Sequence, residues 1–228
     1  MPETKLSHKI IIRGILSYGL IVALTFICAG RLNYWQGWIY NGLNILFVLL
    51  TYYYLSDNTG LIAERLKPGE GMKPWDKIFF IISTLIYFIV IIFCALDVGR
   101  FGWVPELHLF WVIVGIGLYA VGQLIILWAK KKNKFFSSVV RIQKERGHKV
   151  CKEGPYAYVR HPGYVGGLIY TLATPLVLGS FWGLVINLVT ILPLLVRTYL
   201  EDKTLQKELD GYLEYTKEVK YRLVPKIW

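Results

Sequence analysis

Cysteine is scarce in this chain, and its placement carries no chemistry. The three residues of this type in 228 positions, Cys28, Cys94 and Cys151, form no CxxC pair and no metal-ligand spacing, and two of them fall inside apolar runs. No disulfide and no zinc site is expected. Acidic residues are also few, 15 Asp and Glu against 26 Lys and Arg, which leaves a formal net charge of +11. Most conspicuous is the lack of charge of either sign across long stretches. With 55% hydrophobic residues and a mean hydropathy of +0.45, the composition excludes an ordinary soluble domain.

What remains is a set of six apolar runs: Ile10 to Ala29, Gly37 to Leu55, Ile78 to Leu96, Leu107 to Ala129, Tyr164 to Leu178 and Phe181 to Val196. The last two are separated only by Gly179-Ser180 and read as a tight helical hairpin. An all-α integral membrane protein with about six transmembrane helices follows. The basic residues test that count, because Lys and Arg collect on the cytoplasmic side. On a six-span threading, all of the 26 Lys and Arg except Arg31 and Arg100 fall on one side. Both termini are therefore expected in the cytoplasm. A basic face beside anionic headgroups of membrane lipids accounts for the net charge, and no nucleic acid partner is needed. The first run is too long for the core of a signal peptide and lacks a cleavage site, so it is expected to stay as a span.

Loop lengths divide the chain into a four-span transmembrane scaffold, residues 1–129, and a working end, residues 130–228. The scaffold's sizeable cytoplasmic loop, Ser56 to Lys77, carries the turn Lys67-Pro68-Gly69. The working end begins with a basic stretch in which Phe135, Phe136, Val139 and Val140 recur at the spacing of an interfacial amphipathic helix, while Val139 to Lys149 suits extended chain equally well. It ends in an amphipathic tail with Leu200, Leu205, Leu209 and Leu213, broken near Asp210-Gly211 and placed to lie over a site as a lid.

Between them lies the run GPYAYVRHPGYVGG, Gly154 to Gly167. Pro162 suits the first turn of a helix, which puts His161 at its mouth beside unpaired amides that favour a carboxylate or phosphate. Gly163, Gly166 and Gly167 remove side chains on that turn, so that a ligand or a second backbone can come close. Ligand site and helix-packing surface are both consistent with this spacing. Arg197 and Glu201, four residues apart, share one helical face at the cytoplasmic base of the same hairpin. A snorkelling arginine paired to a glutamate is the plainer reading of them.

In the order His148-Lys149-Val150-Cys151, Gly154-Pro155-Tyr156, Arg160-His161-Pro162-Gly163-Tyr164, then Arg197 and Glu201, the last third of the chain resembles the isoprenylcysteine carboxyl methyltransferase family and its phospholipid methyltransferase relatives. Glu64-Arg65-Leu66 to Trp75-Asp76-Lys77 also looks like bacterial and archaeal members. The resemblance implies a membrane enzyme that uses S-adenosyl-L-methionine. Its cofactor contacts would come from Gln143, His148, Lys149, Val150, Cys151, Tyr156, His161, Pro162, Gly163, Tyr164 and Glu201, in a cytoplasmic loop and the helix that follows. Arg197 would serve the acceptor, with Arg160 as a second candidate. The acceptor implied is a lipid-like, prenylated small molecule or peptide that enters from the bilayer.

A phospholipid amine and a small thiol are alternative acceptors, and an amine would ask Glu201, Asp202 or His161 to act as base. Membrane sterol reductases, which bind a reduced nicotinamide cofactor, share an RHPxY-like motif. A transporter would place ionisable groups inside the spans and repeat its halves, neither of which the sequence does.

Overall fold

The computed structural model describes residues 8–55, 71–103 and 107–228, and among these the chain is all helix and loop. Among the described residues eight α-helices are formed: α1 (His8–Ala29), α2 (Trp35–Leu55), α3 (Pro74–Cys94), α4 (Leu109–Lys132), α5 (Pro162–Val177), α6 (Phe181–Asn187), α7 (Ile191–Glu208) and α8 (Tyr212–Glu218). A π-helical segment, Ala95–Phe101, prolongs α3, and a 3-10 turn, Leu188–Thr190, joins α6 to α7. Each apolar run of the sequence falls on one of these helices or on a joined pair. Three are long and apolar enough to cross a membrane, Pro74–Phe101, Leu109–Lys132 and Phe181–Glu208. At about 1.5 Å per residue, 28 residues exceed the roughly 30 Å of a bilayer core. The turn Lys67-Pro68-Gly69 and the Glu64-Arg65-Leu66 resemblance lie outside the described residues.

Caps and breakers in the sequence set the boundaries. Pro74 and Pro162 open α3 and α5, where a missing N–H is not missed. Ser180 caps α6 by accepting the Gly183 amide at 2.8 Å, and Gly179, at φ +77°, makes the turn before it. Pro175 sits inside α5 and cannot donate to the Thr171 carbonyl; Asn187 Nδ2 donates to that oxygen instead, at 2.6 Å. This is the substitution a lipid-immersed helix requires, because no water is at hand to satisfy a freed carbonyl.

Packing follows membrane rules. At Gly122 of α4 a side chain would lie 2.6 Å from the Gly166 carbonyl oxygen and the Tyr170 amide of α5, so the two backbones meet directly. Gly166 is thus a packing residue. Tyrosines tie the remaining helices together: Tyr34 donates to the Leu178 carbonyl at 2.6 Å, Tyr119 to Asn44 Oδ1 at 3.0 Å, and Tyr18 to the Asn41 carbonyl at 2.6 Å. Exposed aromatics such as Trp38, Trp103, Trp111 and Trp182 gather at the helix ends away from the basic loops, as interfacial anchors do.

Candidate functional site

After α4 the chain runs without α-helix from Asn133 to His161, and this irregular segment arches over the mouth of α5. Residues 135–140 form no helix and 139–149 no strand, so the segment is irregular and neither alternative left open by the spacing is realised. The segment is held from within by Gln143, which is fully buried. Its Nε2 donates to the Phe135 carbonyl at 2.8 Å, its Oε1 accepts from Arg146, and its amide donates to His148 Nδ1 at 3.3 Å. His148 stacks on Phe135 at 4.6 Å between ring centroids. Burial, then the nearby charges of Arg146 and Arg141, push the His148 pKa down to about 4, so the ring is neutral at physiological pH.

A second hub is built around Asp202 of α7, whose side chain is fully buried. Arg160 grips it with Nε and Nη2 at 2.8 and 2.9 Å, a bidentate fork. Arg222 Nε donates at 2.9 Å, Gln206 Nε2 at 2.8 Å and the Tyr212 hydroxyl at 3.0 Å; His161 Nε2 stands 3.2 Å away. The same Arg160 donates through Nη1 to the carbonyls of Val219 and Lys220, at 2.8 Å each. The tail is therefore latched onto the RHP run. It breaks at Gly211 (φ +79°), as the Asp210-Gly211 pair leads one to expect, and α8 then presents Tyr212 and Tyr215 to the site. Tyr215 donates to the Tyr156 carbonyl at 2.6 Å.

These elements enclose a cavity with about 780 Å³ of empty space, part of it open to solvent. Every candidate cofactor or acceptor residue read from the sequence lines it except Gln143, which stands behind its wall, and Arg197; Asp202, a candidate base, does not line it either. Tyr164 donates its hydroxyl to Glu201 Oε2, and Glu201 Oε1 takes no hydrogen bond from the described residues. A second cavity, with about 1420 Å³ of empty space, continues downward among α3, α4, α5 and the α6–α7 pair. Its walls are mainly apolar, with Ser83, Tyr87 and Thr174 among them, and Arg197 stands at its upper edge. The two cavities share Phe136, Ser137, Gly163 and Tyr164. A side chain at Gly163 would come within 2.8 Å of the Phe136 ring, so glycine keeps this junction passable.

Several placements differ from what spacing alone suggests. Arg160 lines the upper cavity, but its guanidinium is committed to Asp202 and the tail, which makes it a latch. Asp202, one of the candidate bases for an amine acceptor, is surrounded by Arg160, Arg222 and His161 and is an anchoring carboxylate instead. Arg197 does not pair with Glu201 as a plain i,i+4 partner: its Nε lies 2.9 Å from Asp76 Oδ1. Asp76, Tyr212 and Tyr215 were not singled out from the sequence as site residues. A carboxylate in the first turn after Pro74 was the visible signal for Asp76.

Helical spans beneath a latched, irregular cap define a class of membrane-embedded architecture. It is the fold of a solved structure of the eukaryotic intramembrane Ras methyltransferase, isoprenylcysteine carboxyl methyltransferase, with a TM-score of 0.56 over 95% of this chain and 76% of the other, at 19% identity. Residues 110–210 match the family model described as phospholipid methyltransferase. The chain is also similar to protein-S-isoprenylcysteine O-methyltransferase of Schizosaccharomyces pombe, 37% identical over 67 residues, which cover 29% of this chain and 28% of that one. The probable enzyme of the same name from Oryza sativa subsp. indica is 36% identical over 77 residues, 32% of this chain and 40% of the relative. Protein-S-isoprenylcysteine O-methyltransferase B of Arabidopsis thaliana is 30% identical over 98 residues, 43% and 46% respectively. The matched segment thus spans less than half the length of each of these relatives. The family resemblance read from the sequence is borne out by the family model and the curated relatives, and the solved structure shares the fold.

Proposed function

We propose that this protein is an integral-membrane, S-adenosylmethionine-dependent methyltransferase of the isoprenylcysteine carboxyl type. In this reading residues 130–228 are the catalytic region and residues 1–129 its scaffold. The chain crosses the bilayer six times, α5 and α6–α7 forming the closing hairpin, with both termini in the cytoplasm. The observation that carries the reading is the pair of cavities, one lined by polar and aromatic side chains beneath the irregular segment, one lined mainly by apolar helix faces, joined at Gly163 and Tyr164.

The upper cavity suits the methyl donor. Glu201 Oε1, without a hydrogen-bond partner among the described residues, is an acceptor for hydroxyls or positive charge, Phe135, Tyr156 and Tyr212 supply aromatic surface, and neutral His148 adds no repelling charge. S-adenosylmethionine brings its own activated methyl group on a cationic sulfur, so no nucleophilic side chain is required. The protein's task is to align, to desolvate and to keep the acceptor ionised. The lower cavity takes the lipid-like tail. Arg197 orients the acceptor carboxylate without giving up a proton, since a guanidinium stays charged. The donor would supply both the methyl carbon and the leaving sulfur, so no side chain of this protein would have to give or take a proton. His161 keeps its ring on Asp202 and holds the latch rather than shuttling a proton.

The family model's description favours a second reading, a phospholipid amine as acceptor. That reaction needs a base; Asp202 is spoken for by its cationic neighbours and His161 by Asp202, which leaves Glu201 as the base this second reading would use. Isothermal titration of the detergent-purified protein with S-adenosylhomocysteine tests the donor site. Binding that is lost in Glu201→Ala is the expected result. Binding of a reduced nicotinamide cofactor alone would overturn the reading in favour of a reductase.

A further inference from the structure

Asp76 takes no part in the chemistry described so far, yet its side chain is a fully buried carboxylate. It stands in the first turn of α3, where the helix dipole favours negative charge. Its Oδ1 lies 2.9 Å from Arg197 Nε, a charge contact bent out of hydrogen-bond alignment, and its Oδ2 accepts from Arg197 Nη2 at 3.3 Å. The same Oδ2 accepts the Val140 amide at 2.8 Å, and Arg197 Nη2 donates to the Ser138 carbonyl at 2.7 Å. One carboxylate therefore ties together α3, α7 and the segment 138–140.

The arginine so held is 8% exposed, with its guanidinium against the Phe79, Phe80 and Tyr164 rings at 4.4, 4.9 and 5.3 Å. Its Nη1 has no partner among the described residues. A long cationic side chain beside an apolar membrane cavity tends to swing out toward water and phosphate headgroups. Two of its three nitrogens are restrained against that, and the third is left over.

We propose that Asp76 is a positioning residue for methyl transfer, holding Arg197 by one edge so that Nη1 stays available to the acceptor, and fixing through Val140 the cap segment beside it. The proposal rests on the methyltransferase reading above, in which Arg197 serves the acceptor. It adds that the arginine works only when its other edge is held.

Asp76→Asn keeps the shape and removes the charge. The assay uses bilayer nanodiscs, N-acetyl-S-farnesylcysteine as acceptor and S-adenosylmethionine labelled in the methyl group. We expect kcat to fall by about tenfold or more in Asp76→Asn, with the S-adenosylhomocysteine dissociation constant changed by less than about threefold, and Asp76→Glu to recover part of the loss. In an Arg197→Lys background, where the fork is already gone, Asp76→Asn adds less than about twofold. Hydrogen exchange at residues 138–140 rises in Asp76→Asn. A loss of equal size in the Arg197→Lys background, wild-type kcat in Asp76→Asn, or unchanged exchange at 138–140 would each overturn the proposal. Where Asp76→Asn does not fold, Asp76→Glu carries the test: a lowered kcat with wild-type S-adenosylhomocysteine binding supports it, and wild-type kcat sinks it. Failure of the unmodified protein to bind S-adenosylhomocysteine would instead count against the underlying reading, so the two failures are told apart.

Discussion

The two cavities meet at four residues and are built in opposite ways. The upper one is made of irregular chain, the Asn133 to His161 segment and the tail around Tyr212 and Tyr215, held in place by buried polar hubs at Gln143 and Asp202. The lower one is made mainly of apolar helix faces, with only residues 136–138 from irregular chain. The difference teaches where precision has to be constructed. Helices in a membrane satisfy their own backbone groups, whereas irregular chain needs side chains to do so, and here those side chains are Gln143, Arg160 and Asp76.

If the contrast is right, breaking the Asp202 hub should have the largest effect. Asp202→Asn leaves the buried Arg160 guanidinium without its counter-charge, a loss of about 3–5 kcal/mol for a broken buried pair. Thermal unfolding in detergent should show a much lowered midpoint, and limited proteolysis should release the tail beyond Glu208. Next comes the junction. Gly163→Val pushes a side chain into the Phe136 ring, and misplacement on this scale lowers kcat by about 100-fold. S-adenosylhomocysteine affinity and turnover, measured on the same preparation, separate donor binding from alignment.

A smaller change should be confined to the lower cavity. Ser83→Trp fills apolar space far from the upper site, so the KM for a prenylated acceptor rises by about tenfold while donor binding holds. Loss of both together would mean that the cavities are not independent. The mildest effect concerns pH. His148 has a folded-state pKa of about 4, below its ordinary 6.5, so the native state binds fewer protons than the unfolded chain between those values. Stability of the cap is full above about pH 6.5 and is lost as the pH falls toward 4. Hydrogen-exchange protection at residues 143–148, taken relative to the intrinsic rate at each pH, should fall on acidification, and less so in His148→Gln.

Much of this was legible in the sequence, for reasons tied to particular residues. Hydrophobic runs marked the helices, and the proline at 162 marked where one of them begins. The order of Gly154-Pro155-Tyr156, the RHPGY run and Glu201 gathered most of the upper cavity in advance. The hubs were not legible, because they join residues with no periodic relation: Arg160 meets Asp202 at a separation of 42, and Arg197 meets Asp76 at 121. Spacing also favoured the wrong partner for Arg197, since Glu201 lies one turn away while Asp76 belongs to another helix. For the glycines it was evenly balanced, and the structure divides them: Gly166 serves packing, and Gly163 keeps the cavities connected.

The most direct test of the central claim is to ask where a labelled methyl group goes. Purified protein in nanodiscs that contain phosphatidylethanolamine, given methyl-labelled S-adenosylmethionine and N-acetyl-S-farnesylcysteine, should transfer label to the farnesylated acceptor as a carboxyl ester. Base treatment should then release the label as volatile methanol, and Arg197→Ala should abolish the signal. Label that stays base-stable on the phospholipid amine, with none on the farnesylated acceptor, would contradict the account.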